Sequence, residues 1–268
     1  MRISFVGGGV MAEAILGGVI DAGLAAPGDI TIGEPVEARR SHLAAKYGVA
    51  VSSANLDALK GAELVVLAVK PQSLPVVMAD LRQGLKGGQV VLSIVAGARM
   101  DTLVKGLDHA AVIRVMPNTP AQIRSGMTVW MASPEVPEDA VATTRGILGT
   151  LGEELYVEDE KLIDMATALS ASGPAYVFLF IEALIDAGVY LGMSREMSRK
   201  LVLQTVAGST RLVEETGRHP ADLRDMVVSP GGTTAEALLA FERAGFHGVI
   251  VDAVAAAYEK SRALGGPR

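Results

Sequence analysis

The sequence predicts a two-domain chain: a doubly wound α/β domain over residues 1–158 and an all-helical domain over residues 159–268. Three observations carry this. Short β-rich runs alternate with helical segments through the first half, the pattern of a parallel sheet covered by helices. A glycine-rich turn stands directly after the first such run. From about Asp159 onward only helical signals remain.

Taken in order, Ile3–Val6, Ile30–Ile32, Leu64–Val69, Val90–Val95 and Val112–Val115 read as buried parallel strands, short and apolar throughout. Val10–Ala22, Val36–Tyr47 and Leu74–Leu85 carry the helical period between them. Two further strands, near Met127–Met131 and Glu154–Val157, extend the sheet, with a helix after Pro137 between them. In the second half Gly173-Pro174 opens a helix towards Tyr190, since proline suits a first helical turn. Gly192 ends it, and Ser194 caps the next, which reaches Thr216. Shorter helices are predicted at Pro220–Met226, Thr234–Ala244 and Gly248–Ala263. The helix from Ala175 is apolar around most of its circumference and must be buried on several sides. A helical domain this small does not offer that burial alone, so an intertwined dimer is expected.

Composition narrows the function. Half of the 268 residues are hydrophobic, enough for a sizeable core. The net charge is −6 with both signs scattered and no basic block, which argues against nucleic acid as a partner. With no cysteine, disulfides, thiolate catalysis and cysteine-built zinc sites are excluded. His42, His109, His219 and His247 lie far apart without metal-ligand spacing, so no metal is expected. The uncharged stretch Met165–Ile181 is short for a membrane span and holds Ser170, Ser172, Gly173 and Pro174 near its middle. A buried helix in a soluble protein is the better reading, and the absence of cysteine fits a cytoplasmic one. Glu13 and several glycines interrupt the apolar N-terminus, so it is not read as a signal peptide.

Gly7-Gly8-Gly9-Val10-Met11-Ala12 reads G-x-G-x-x-A, between a strand and a helix. Gly7 permits a tight turn, Gly9 lets backbone approach a pyrophosphate, and Ala12 allows close helix–strand packing. The helix aims free N–H groups and its positive dipole end at the phosphates. This is a Rossmann-type dinucleotide loop. Glu34, at the end of the second strand, would accept from the adenosine ribose hydroxyls and repel a 2′-phosphate, whereas Arg39 and Arg40 compete to grip one. The acid tips the reading towards NADH, with NADPH still open. Lys70, beside Pro71, is placed at the sheet's carboxyl edge, where ligands bind in such sheets. Ala96-Gly97 and Met116-Pro117-Asn118-Thr119-Pro120 close two more strands on that edge, the latter as a rigid loop suited to a nicotinamide wall or to a plain turn. Asn55 is either a helix N-cap or a ribose contact.

A second anion cradle is expected at Ser229-Pro230-Gly231-Gly232-Thr233-Thr234, ahead of a helix starting near Ala235. The glycines expose backbone N–H groups at a helix N-terminus, which suits a carboxylate. Thr233 and Glu236 also spell a T-x-x-E capping box. One cradle for a dinucleotide and one for a small acid point to a reaction.

The opening G-x-G-x-x-A, Ala68-Val69-Lys70-Pro71, Met116-Pro117-Asn118-Thr119-Pro120, Leu169-Ser170-Ala171-Ser172-Gly173-Pro174-Ala175-Tyr176 and Ser229–Thr234 together resemble the pyrroline-5-carboxylate reductase family, in order and over nearly the whole chain. The last two motifs are specific; the first is shared by many dehydrogenases. The resemblance implies NAD(P)H-dependent reduction of 1-pyrroline-5-carboxylate to L-proline, the last step of proline biosynthesis. It also implies a Rossmann domain, a helical dimerisation domain, and homo-oligomers up to decamers. By the same resemblance Gly9, Val10 and Met11 touch the pyrophosphate, Asn55 the adenosine ribose, and Glu34 sets cofactor preference. Ala68, Val69, Lys70, Pro71 and Ala96 line the cofactor. Ser229 and the backbone of Gly231, Gly232 and Thr233 hold the substrate carboxylate, Thr234 faces the ring nitrogen, and Glu160 lies near the substrate amine. Ala171 replaces a glycine common in the family, and Met226 and Val228 stand where some members carry polar residues or cysteine. Neither departure touches a residue the chemistry requires.

A protonated cyclic imine is already a strong electrophile, so hydride transfer needs alignment more than a strong acid. That explains a site without histidine, cysteine or buried lysine. A β-hydroxyacid dehydrogenase-like enzyme would need a lysine or similar acid/base on the long helix, and none lies between Met165 and Ile181. A dinucleotide-binding protein without turnover leaves the Ser229–Thr234 loop unexplained. A related cyclic-imine acid is the remaining alternative substrate.

Overall fold

The structure, a computed structural model, describes residues 1–265. In chain order it contains β1 (Ile3–Val6), α1 (Val10–Asp21), β2 (Ile30–Gly33), α2 (Glu37–Tyr47), β3 (Ala50–Ser52), α3 (Asn55–Ala58), β4 (Leu64–Leu67), α4 (Leu74–Leu81), β5 (Val90–Ser93), α5 (Met100–Leu107), β6 (Val112–Met116), β7 (Gly126–Ala132), α6 (Glu138–Gly149) and β8 (Gly152–Tyr156). Helices follow: α7 (Glu160–Ala166), α8 (Gly173–Tyr190), α9 (Arg195–Thr216), α10 (Pro220–Met226), α11 (Thr233–Arg243) and α12 (Phe246–Leu264).

The strands form one sheet in the order β3-β2-β1-β4-β5-β6-β7-β8, parallel except where β6 meets β7. The chain reverses its direction of travel across the sheet at β1, which makes the carboxyl edge beside β1 the place for a ligand. Alternation along the strands sends side chains to two separate cores. Ile3, Phe5, Val66, Leu92 and Ile113 pack with Ile15 and Leu16 of α1 and Leu148 of α6. Val6, Val65, Leu67, Val91 and Val112 pack with Met78 and Leu81 of α4 and Leu103 of α5. Each fully buried side chain of this size contributes roughly 1.5–3 kcal/mol.

The differences from the sequence reading have local causes. The third and fourth parallel runs leave the sheet after Leu67 and Ser93 rather than after Val69 and Val95. Their last residues leave the ladder but still pack on the core, with Val95 buried and Val69 against the same cluster. Strand β3 is a three-residue edge strand, too short to show a period. Helix α5 was missed: Met100, Leu103, Val104 and Leu107 stand at helical spacing, but no side-chain cap marks its start. Helix α8 is preceded by a π-type turn over Thr167–Ala171.

By contacts the chain divides into two compact units, Met1–Ser172 joined by residues from Ala257 onward, and Gly173–Ala256. The division expected at 158/159 marks a change in composition. The contact boundary comes later because α7 packs on β6 and β7. Within the second unit α8 and α9 pair closely: a Cβ on Gly188 would lie 2.5 Å from Ser198 Oγ. Ser194 Oγ accepts from Met197 N–H at 3.2 Å, the cap the sequence predicts. The remaining circumference of α8 stays open in a single chain, with Phe178 61% and Leu179 66% exposed. The helical run Glu160–Tyr190 is long and apolar enough to cross a membrane by length and composition alone.

Candidate active site

The glycine loop takes the form its sequence requires. Gly7 has φ +95°, and a Cβ there would lie 2.7 Å from the Ala68 carbonyl oxygen, so no other residue fits. Gly9 is the N-cap of α1, with no side-chain cap and nothing within 4 Å of a Cβ built on it. The first-turn amides of Val10 and Met11 have no acceptor within the helix. They lie at the positive end of a twelve-residue helix, next to the open space over Gly9, which suits a pyrophosphate.

Glu34 is buried, and both its oxygens are bonded: Gly8 N–H donates to Oε2 at 2.8 Å and Val36 N–H to Oε1 at 2.9 Å. It braces the glycine loop against the end of β2. The two arginines that compete for a 2′-phosphate are engaged elsewhere. Arg39 donates to Gly8 O at 2.5 Å and to Glu13 Oε2 at 2.5 Å, and Arg40 to the carbonyls of Glu34 and Pro35 at 2.8 Å. Glu13, in the first turn of α1, also receives Lys46, His42 and Tyr47. Burial pushes its carboxyl up. The hydrogen bonds from Lys46, His42, Arg39 and Tyr47 outweigh that and bring its pKa from 4.5 down to about 2. A folded value below the unfolded one stabilises the fold above the unfolded pKa, and this contribution is lost as pH falls towards the folded value. Between about pH 5 and about pH 3 the urea midpoint is expected to fall in the wild type by more than in Glu13→Gln; equal slopes would discard the assignment.

Asn55 is the first residue of α3, whose N-cap is Ala54, so the N-cap reading is corrected. Its side chain packs over the end of β2, and its Nδ2 donates to Asp80 at 3.4 Å. Ala68 and Val69 continue from β4 beside Gly7, and Lys70 and Pro71 turn outward into a short 3₁₀ segment. Ala96 follows β5, exposed on the same edge. The structure thus gathers the expected cofactor residues along the carboxyl ends of β1, β2, β4 and β5.

Glu160, expected near the substrate amine, is also tied into the protein. Its Oε1 accepts from Arg114 Nη1 at 2.6 Å and from Met100 N–H at 2.6 Å. Arg114 is 3% exposed and also bonds Asp164 at 3.0 Å. A buried guanidinium needs such partners; with both removed the charge is stranded, at a cost of about 3–5 kcal/mol. Glu160 therefore ties α7 to β6 and α5. Arg114 was missed, although a charge inside the buried strand Val112–Met116 was its signal.

In the second unit Ser229-Pro230-Gly231-Gly232 forms a tight turn closed by Gly232 N–H donating to Ser229 O at 3.0 Å. Proline at the second position and Gly231 at φ +66° are what such a turn demands. The N-cap of α11 is Gly232 with no side-chain cap, so the predicted Thr233–Glu236 capping box does not form. A Cβ on Gly232 would lie 2.3 Å from Ser229 Oγ, so glycine keeps room for that hydroxyl over the helix start. The first-turn amides of Thr233 and Thr234 lack helical acceptors.

A Rossmann-type parallel sheet with a glycine turn at its carboxyl edge, followed by a helical unit, is the arrangement of a nucleotide-dependent oxidoreductase. Residues 160–264 match the family described as pyrroline-5-carboxylate reductase dimerisation, and residues 2–97 the family described as NADP oxidoreductase, coenzyme F420-dependent. The pyrroline-5-carboxylate reductase of Synechocystis is 45% identical, with 99% of this chain and 98% of that protein aligned. The solved pyrroline-5-carboxylate reductase of Coxiella burnetii superposes with a TM-score of 0.90 at 34% identity, covering 99% of each chain. The Plasmodium falciparum pyrroline carboxylate reductase with NADP bound has a TM-score of 0.90 at 32% identity, covering 99% of this chain and 98% of that one. The chain belongs to the pyrroline-5-carboxylate reductase family. It is an oxidoreductase that uses NAD(P)H to reduce 1-pyrroline-5-carboxylate in proline biosynthesis, and it associates with copies of itself.

Proposed function

We propose that the two cradles divide the reaction between them. Gly7, Gly9, Val10 and Met11 hold the cofactor pyrophosphate, with Glu34 and Asn55 at the adenosine ribose and Ala68, Val69, Lys70, Pro71 and Ala96 along its length. Bound there, NAD(P)H supplies the hydride. Ser229, Gly231, Gly232 and Thr233 hold the substrate carboxylate, and Thr234 donates to the ring nitrogen or orients a water at it. Glu160 lies near the substrate amine while its Oε1 braces Arg114. The observation that carries this reading is the pair of helix tips, at Gly9 and Gly232, that present uncapped amides.

The buried Glu34 and the engagement of Arg39 and Arg40 by carbonyls favour NADH, with NADPH also used. We take residues 1–158 as the dinucleotide domain and 159–268 as the substrate and dimerisation domain, interlocked in a dimer that can build decamers in the cytoplasm. The apolar circumference of α8 supports the interlocking. Steady oxidation of both reduced cofactors with 1-pyrroline-5-carboxylate, and not with a β-hydroxyacid pair, is the expected result; no turnover, or faster turnover of a six-membered cyclic imine acid, would overturn the substrate assignment.

A further inference from the structure

Asn118 follows Pro117 in the loop after β6, and every polar atom of its side chain is engaged. Its Oδ1 accepts from Met127 N–H at 2.9 Å. Its Nδ2 donates to the Ser170 carbonyl at 3.3 Å and to Ser170 Oγ at 3.4 Å. The carbonyl it reaches is a particular one. Ser170 stands four residues before Pro174, which has no N–H to give it and whose ring crowds it. The chain accommodates the proline with the π-type turn over Thr167–Ala171, in which Ser172 N–H donates to Thr167 O at 2.9 Å. Asn118 supplies from the β6 loop the donor that Pro174 cannot. Ser170 Oγ, used as an acceptor, keeps its own proton to give.

We infer that Asn118 is a positioning residue for hydride transfer: its carboxamide clamps the loop after β6 to the carbonyl that Pro174 leaves unserved, and so fixes one wall of the nicotinamide site. The inference rests on the proposed placement of the cofactor along the carboxyl edge, where this loop ends β6. Alignment dominates this chemistry, and a displacement of about 1 Å costs on the order of a hundredfold in rate. The pyrophosphate is held at the glycine loop, so the clamp acts on turnover and not on cofactor affinity.

Asn118→Asp separates the two halves of the clamp. It keeps the acceptor for Met127 N–H, removes the donor, and sets a carboxylate oxygen against the Ser170 carbonyl. Its kcat is expected to fall at least about tenfold, with the dissociation constant for NAD(P)H, read by cofactor fluorescence, within about twofold of wild type. Pro174→Ala restores an N–H four residues after Ser170. Combined with Asn118→Asp, it is expected to recover kcat several-fold, and it serves as the measured variant if the single one folds poorly. A melting temperature that drops in Asn118→Asp without any change in kcat makes the contact purely structural and overturns the inference. A proportional loss of NAD(P)H affinity overturns it too, as does a folded double variant that shows no recovery. A wild-type chain without turnover would instead remove the cofactor reading beneath it.

Discussion

Gly9→Val is expected to weaken NAD(P)H binding at least about a hundredfold, equivalent to about 2.7 kcal/mol, while leaving the melting temperature within a few degrees of wild type. The two halves of this expectation come from one geometry. Gly9 has φ −66°, which any residue adopts, and nothing lies within 4 Å of its Cβ position. A valine there needs no unusual φ and its Cβ meets no neighbour, so the cost to the fold is mainly that of a poorer N-cap. The same emptiness is where a pyrophosphate must approach the amides of Val10 and Met11, and a branched side chain fills it. Gly7 is the control. Its φ of +95° and its 2.7 Å approach to the Ala68 carbonyl make Gly7→Ala a stability variant first. Fluorescence titration of NAD(P)H against thermal unfolding separates the two. Cofactor binding by Gly9→Val at wild-type affinity would show that the pyrophosphate lies elsewhere.

The contrast between these two glycines shows what the sequence carried. A glycine pattern between a strand and a helix predicts a loop of this type, because turn geometry and helix start are local properties. The core was legible for the same reason: strand residues such as Phe5 and Val6 alternate between two packing layers, and α1 presents Ile15, Leu16 and Val19 to one of them. The helix starts and stops at Gly192, Ser194 and Pro220 were also readable from local chemistry. What escaped was nonlocal. Arg114 finds Glu160 and Asp164 across separations of 46 and 50 residues, and Asn118 finds Ser170 across 52. No window of sequence contains both partners. The Thr233–Glu236 pattern failed in the opposite way: a local rule was met, yet Gly232 took the capping position. The tight turn at Ser229–Gly232 sets where the helix begins, and the two threonines fall inside it. Their hydroxyls are thereby left out of the cap, which bears directly on the second cradle.

Thr234→Ala is expected to lower kcat at least about tenfold, the size of effect associated with losing a proton-donating or orienting contact. Thr234 is the second residue of α11, and its hydroxyl makes no hydrogen bond among the described residues. Alanine is the better helix former, so the substitution leaves α11 intact or slightly steadier. A loss of rate therefore cannot be assigned to a damaged helix, and the melting temperature checks this. The KM for 1-pyrroline-5-carboxylate should change little, because its carboxylate is assigned to Ser229 and to backbone amides that alanine retains. Thr234→Ser keeps the hydroxyl and should retain most of the rate, whereas Thr234→Val keeps the shape without the proton and should behave like alanine. A tenfold fall in kcat with KM unmoved marks an interaction made in the transition state alone. Wild-type turnover in both Thr234→Ala and Thr234→Val would leave the imine nitrogen without a partner on α11, and the proton would have to be sought from solvent or from another element.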